Sequence, residues 1–328
     1  MKPISWCSAV IKVERRAHAV HTLRFPAHLP TSSESRLPSV TSDNEIVQNI
    51  IAQAFSAIIN LKHLFLLGQN SQPASIKLST LASCTFSLCS FAGQVSGDLG
   101  IQEQLDFLLK HPTIEYWVPT EPFLRSVNSF PTNILPNLRQ TVLVRPSLMK
   151  ALGGRPIESL MILFIDITHS RAVEYTHGSL GPDWSTIDII SNLSRAAPNL
   201  KILTLGSLIK DDSVITAENQ QSLVDAVARF CHLKILVLNT YMCALQKHTD
   251  EDPDPENPLE HSVAWEGRSP AQARQVATQF MTACPSLRRL SFPDTGPSPT
   301  NSLTYILSGT KAKLDGFYII DNSGWWLR

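Results

Sequence analysis

Pro198-Asn199-Leu200-Lys201-Ile202-Leu203-Thr204-Leu205 carries the pattern on which the fold turns: an apolar residue, two free positions, a second apolar residue, one free position, a third. Leu233–Leu236–Leu238 and Leu287–Leu290–Phe292 repeat it. All three copies follow a helical stretch that closes in a similar way, at Ala197-Pro198-Asn199, Phe230-Cys231-His232 and Ala283-Cys284-Pro285. Working outward, the same spacing recurs with first apolar positions at Val20, Leu61, Leu81, Ile114, Leu138, Ile157 and Leu314, ten copies in all, at intervals of 19 to 54 residues. Alternation along a strand sends the apolar positions to one side and the free positions to the other.

Helices are expected between the strands. Ser269-Pro270 reads as an N-cap with proline at the first helical position, where its missing N–H is harmless. Ala273, Val276, Ala277, Phe280, Met281 and Cys284 follow at helical spacing. Ser185 with Asp188 opens another helix, with Ile187, Ile190, Leu193 and Ala197 on one face, and Leu223, Val227 and Phe230 mark a third. Nearer the N-terminus, Ile46, Ile50, Ala54 and Ile58 form a stripe broadened by Val47, Ile51 and Phe55, and Ile101, Leu105, Leu108 and Leu109 precede the strand at Ile114. Ser147–Leu152 leaves room for a short helix stopped by Gly153-Gly154.

The repeated motif is the L-x-x-L-x-L core of a leucine-rich repeat. The expected fold class is α/β: an irregular leucine-rich-repeat solenoid with parallel strands on the concave face and helices on the convex face. Residues 1–328 are expected to form a single domain of this kind, with 26–43 and 247–260 as mobile insertions. The first is rich in Ser, Thr and Pro, and the second (KHTDEDPDPENPLE) combines prolines with six acidic residues. A doubly wound α/β domain would also alternate strand and helix, but no Gly-rich strand-to-helix turn stands where a phosphate would sit.

Composition narrows the function. Lys plus Arg and Asp plus Glu both number 28, so no net field favours nucleic acid or an anionic membrane. The six cysteines, Cys7, Cys84, Cys89, Cys231, Cys243 and Cys284, form no C-x-x-C pair and are expected to be buried free thiols of a reducing compartment. Met1–Trp6 lacks the apolar run of a signal peptide, so an intracellular (cytoplasmic or nuclear) protein is expected.

Signatures of phosphate-binding loops, nucleophile elbows and zinc helices are missing from the sequence. The densest polar constellation is Asp166, His169, Glu174 and His177. Such groups suit a metal or an acid–base pair, but Thr168, Ser170, Arg171, Tyr175 and Thr176 make the stretch read as an ordinary polar loop. The expectation is a non-enzymatic chain without metal or cofactor, with an unrecognised enzyme site near Asp166–His177 as the alternative. Asn192-Leu193-Ser194 matches a glycosylation acceptor but falls in a predicted helix.

The free strand positions hold the candidate partner-binding face: Phe65, Tyr116, Val142, Met161, Ile202, Ile235, Val237 and Arg289. Its middle is apolar. That implies either a docking surface for a protein target or a sheet buried on both faces by inserted segments.

Trp6 to Phe25 (WCSAVIKVERRAHAVHTLRF) resembles the first repeat after the F-box in fungal F-box/leucine-rich-repeat proteins, where a helix, an Arg-Ala pair and a Val-x-x-Leu strand follow in order. PNLKILTLGSL, CHLKILVLNT, CPSLRRLSFPD and GGRPIESLMIL are similar to later repeats of that family. The family's asparagine three residues after the last leucine is replaced by Gln69, Leu208, Tyr241 and Thr295, so no asparagine ladder is expected. The resemblance implies a substrate-recognition subunit of a ubiquitin ligase, whose F-box binds a Skp1-type adaptor while the repeats hold the target. Leu37-Pro38 followed by Glu45-Ile46 mimics an F-box opening at the wrong spacing. An adaptor is therefore expected only if an F-box lies upstream.

Overall fold

The computed structural model describes residues 3–26, 40–67, 81, 84–93, 101–119, 130–143, 149, 152–162, 186–205, 217–238, 270–293 and 301–319. They belong to two compact units, one of residues 1–141 with 154–156, the other of residues 142–153 with 157–328.

In the first unit, α1 (Pro3–Lys12) and α2 (Glu14–His18) lead into β1 (Thr22–Pro26). Then come α3 (Val40–Ala57), β2 (His63–Leu67), β3 (Ser90–Gly93), α4 (Ile101–Lys110) and β4 (Tyr116–Val118). The unit ends inside β5 (Gln140–Leu143). Neighbouring strands are parallel and follow chain order, with Leu23 beside Leu64, Leu64 beside Phe91, Phe91 beside Trp117 and Trp117 beside Thr141. Helices cover the leucine-bearing side. The Phe25 ring meets Trp6 at 6.3 Å and Phe55 of α3 at 5.9 Å, and Phe91 meets Phe107 of α4 at 5.0 Å.

The second unit holds β6 (Ser159–Ile162), α5 (Thr186–Ala196), β7 (Ile202–Leu205), α6 (Ala217–Val227), β8 (Ile235–Leu238), α7 (Pro270–Ala283) and β9 (Arg289–Pro293). Leu160, Leu203, Leu236 and Leu290 align across four parallel strands and are fully buried. Each leucine contributes about 2 kcal/mol through lost water contact. The strand direction then reverses: β10 (Asn301–Ser308) and β11 (Lys311–Ile319) form an antiparallel hairpin beside β9. This is an α/β arrangement of mostly parallel strands, compatible with a solenoid-like repeat fold.

One backbone device recurs between successive repeats within each unit. The carbonyl just before a strand accepts two successive N–H groups from the next repeat: His21 from Lys62 and His63, Lys62 from Cys89 and Ser90, Cys89 from Glu115 and Tyr116, Glu115 from Arg139 and Gln140. In the second unit Glu158, Lys201 and Lys234 do the same for the pairs beginning at Lys201, Lys234 and Arg288. At four repeats the side chain one residue before the first leucine position adds a second tie. Asn60 donates to the His18 carbonyl, Thr113 to Leu88, Asn137 to Pro112 and Ser286 to Phe230. Side chains thus satisfy carbonyls at the helix-to-strand turns that backbone bonding leaves open.

Several expectations are corrected. The third repeat begins at Leu88, not Leu81, because Leu88, Phe91 and Gly93 occupy the register of Leu61, Leu64 and Leu66. The intervals from Leu61 to Leu88 and from Leu88 to Ile114 thereby become 27 and 26 residues. Gly93 hides the motif: a Cβ there would lie 2.8 Å from the Leu66 Cβ, so only glycine fits where the third apolar residue is expected. Leu314 lies on the antiparallel β11 and starts no parallel repeat. The hairpin's signal is Ser308-Gly309-Thr310-Lys311, a two-residue turn whose Gly309 has φ +63°. In α3 the inward stripe is Ile51, Ala54 and Phe55, followed by buried Ile58 just past its end and leaving Ile46 exposed, and in α4 Phe107 joins Leu108 while Leu109 faces out. Val40–Asp43, expected in an insertion, begins α3. Among the described cysteines, only Cys7 and Cys284 are buried; Cys84 and Cys89 are half-buried and Cys231 is exposed. Residues 27–39, residues 247–260 and the group Asp166, His169, Glu174 and His177 lie outside the described residues.

Candidate partner-binding face

Opposite the helices, the free positions of the strands form two register rows in each unit. In the first unit the leading row is Thr22, His63, Ser90, Tyr116 and Gln140. It is polar: His63 Nδ1 and the Ser90 hydroxyl share a hydrogen bond of 3.0 Å. Arg24, Phe65, Ala92 and Val118 form the second row. Because Ser90 and Ala92 are small, Phe65 and Tyr116 meet over β3 with ring centroids 6.4 Å apart. The Arg24 guanidinium stands 5.8 Å from the Phe65 centroid, a cation–π contact. Phe65 and Tyr116 are only 7% and 8% exposed. Burial pushes the Tyr116 phenol well above its ordinary pKa, so it stays protonated at any physiological pH.

In the second unit the leading row is Ser159, Ile202, Ile235, Arg289, Ile306 and Lys313, and the second is Met161, Thr204, Val237, Ser291 and Thr304. The second row is closed over much of its length. Met161 is 1% exposed, and Ser291 and Thr304 are buried with their hydroxyls 2.8 Å apart. In the leading row Ile202, Ile235 and Ile306 are half-buried and Arg289 is exposed, 4.0 Å from the Asp315 carboxylate. Val237 is half-buried as well.

The eight residues singled out by sequence therefore do not share one environment. Phe65 and Tyr116 touch one another in the first unit. Val142 and Met161, in the second, are buried. Ile202, Ile235 and Val237 are in reach of solvent on adjacent strands, and Arg289 stands next in register to Ile235. Of the two sequence readings of this face, the second row of the second unit resembles the covered sheet and the leading row of that unit resembles the open one; in the second row of the first unit only Phe65 is buried. Sequence reasoning missed Ser90, hidden by the misplaced third repeat, and Ile306, whose alternation within NSLTYILS was its available signal. Among the described residues there is no group of three or more His, Cys, Asp or Glu side chains placed to hold a metal, and no helix long and apolar enough to cross a membrane.

No family model and no curated protein matches the chain. Among solved structures, a protein from Bacteroides fragilis determined by the Northeast Structural Genomics Consortium aligns at a TM-score of 0.33 and 14% identity, over 71% of this chain and 62% of that one. The chain thus spans less than two thirds of that protein's length, and a likeness of this degree assigns neither activity nor partner.

Proposed function

We propose that the chain is a non-enzymatic, intracellular interaction module of leucine-rich-repeat type that holds a protein target on the outer face of its strands, in the manner of an F-box-type substrate receptor. The observation that carries this reading is the half-exposed aliphatic group Ile202, Ile235 and Val237 beside exposed Arg289. Apolar side chains next to an exposed arginine make the kind of centre on which protein interfaces form. The similarity of PNLKILTLGSL, CHLKILVLNT and CPSLRRLSFPD to F-box/leucine-rich-repeat proteins supports the pathway. A Skp1-type adaptor belongs to the assembly only where an F-box is joined upstream.

The test uses the tagged chain and its Ile235→Ser variant, each isolated from the native cells, with co-purifying proteins identified and then recombined in purified form. A protein bound by the parent and released by the variant is the expected result. An identical set of direct partners for both would sink the reading.

A further inference from the structure

Just ahead of the outer rows runs a third column, set by the paired backbone bonds that tie each repeat to the next. In the second unit it is Glu158, Lys201, Lys234 and Arg288, joined because the N–H groups of Lys201, Lys234 and Arg288 donate to the preceding member's carbonyl at 2.7, 2.7 and 2.8 Å. Strands stand about 4.8 Å apart, so three cationic residues are rooted within roughly 10 Å of one another. Glu158 Oε2 engages Lys201 at 2.9 Å. Lys234 and Arg288 are exposed.

Like charges facing each other across neighbouring repeats oppose pairing, so the charges of Lys201, Lys234 and Arg288 work against the backbone bonds of this column rather than with them. The same column in the first unit, His21, Lys62, Cys89, Glu115 and Arg139, mixes signs and chemistries as a merely solvated rim does. The cationic run also borders the open part of the outer face: Lys201, Lys234 and Arg288 are each followed by a member of the leading row, Ile202, Ile235 and Arg289.

We infer that this column and the aliphatic row beside it form a composite docking strip for an acidic protein segment carrying an aliphatic side chain; this deepens the interaction role proposed above and rests on it. The carboxylates lie against Lys234 and Arg288, while the aliphatic side chain sits on Ile202 and Ile235. Charge complementarity across such a rim steers encounter and sets register. A nucleic acid fits less well. The adjoining row offers aliphatic side chains and no aromatic ring on which a base stacks.

The experiment is fluorescence anisotropy with the full chain and a short fluorescein-labelled peptide of alternating glutamate and valine. Three proteins are compared: the parent, Lys234→Gln with Arg288→Gln, and Ile235→Ser, all first shown to melt like the parent. The expected result is measurable binding at low salt, weakened roughly tenfold in the double variant, with a gap that narrows as salt rises. Ile235→Ser also weakens it, with less dependence on salt. No binding by the parent overturns the strip. So does undiminished binding by the double variant, and if Ile235→Ser still weakens that binding, the face survives without its cationic anchor. Equal binding by all three proteins removes both the strip and the face. Single-stranded polyuridylate binding more tightly than the peptide, through the same residues, overturns the choice of an acidic protein segment. Peptide binding that emerges only after deletion of residues 250–256 assigns the strip to the chain's own acidic stretch and also overturns the proposal.

Discussion

Replacing Arg155 by methionine tests how the turn before β5 is held. Arg155 is 5% exposed, and its guanidinium donates to the Ile134 carbonyl from Nε at 3.1 Å and from Nη2 at 2.8 Å. Nη2 also donates to the Pro131 carbonyl at 2.6 Å, and the cation stands 4.9 Å from the Phe130 centroid. Just after the last of these anchors Leu135 is fully buried at φ +51°, a left-handed conformation that costs a branched residue roughly 1–2 kcal/mol. Methionine retains the apolar stem but orphans the Ile134 carbonyl inside the protein, a loss of about 1–3 kcal/mol. It also removes a cation–π contact worth about 1 kcal/mol. Burial holds the Arg155 pKa below its ordinary value, so relief of desolvation returns part of this. A net destabilisation of about 2–3 kcal/mol is expected. It should be read by chemical denaturation and by hydrogen exchange over residues 131–143, where the Leu138, Arg139 and Gln140 amides lose protection together. Arg155→Lys keeps a charge but not the planar fork and should fall between the two. Unchanged exchange in this stretch for Arg155→Met would refute the clamp.

Gly93→Ala places a methyl group 2.8 Å from the Leu66 Cβ and should destabilise by about 1–3 kcal/mol in a denaturant titration; a neutral substitution would disprove the β2–β3 register. Leu236→Asp buries an unpaired carboxylate among Leu203 and Leu290 and should cost more than about 4 kcal/mol, exposing the second unit to proteolysis. A protease-resistant, cooperatively melting variant would count against that core. His111, 3% exposed between Phe86 and Phe107, has its pKa lowered from 6.5 to about 4 by burial first and by Lys110 second. The unfolded chain takes up the proton first as pH falls, so the stability present above pH 6.5 is lost between 6.5 and about 4. The loss is on the order of 3 kcal/mol. His111→Phe should remove that share of the acid sensitivity, and an unaltered stability–pH curve would show that it originates elsewhere.

Much of the architecture was legible because burial and strand alternation act locally. Leu200–Leu203–Leu205, Leu233–Leu236–Leu238 and Leu287–Leu290 announce core strands with no knowledge of their neighbours, and Val276, Ala277, Phe280 and Met281 announce the buried face of α7. The third repeat was not legible, since Gly93 is apolar only in the sense that Leu66 fills its space. The closing hairpin was missed because Leu314 fits the repeat spacing equally well on an antiparallel strand.

The candidate site divides in the same way. Which residues are free of the core follows from their parity along each strand, and that is written in the chain. Whether a free position meets solvent depends on contacts made across strands: Phe65 is covered by the cation of Arg24 and the ring of Tyr116, whose parent residues lie 41 and 51 positions away. Likewise Lys201, Lys234 and Arg288 are three scattered bases in the sequence and become one column through backbone bonds between repeats. Periodicity is a property of a segment; exposure and charge clustering arise from register between segments, and register is set by long-range packing.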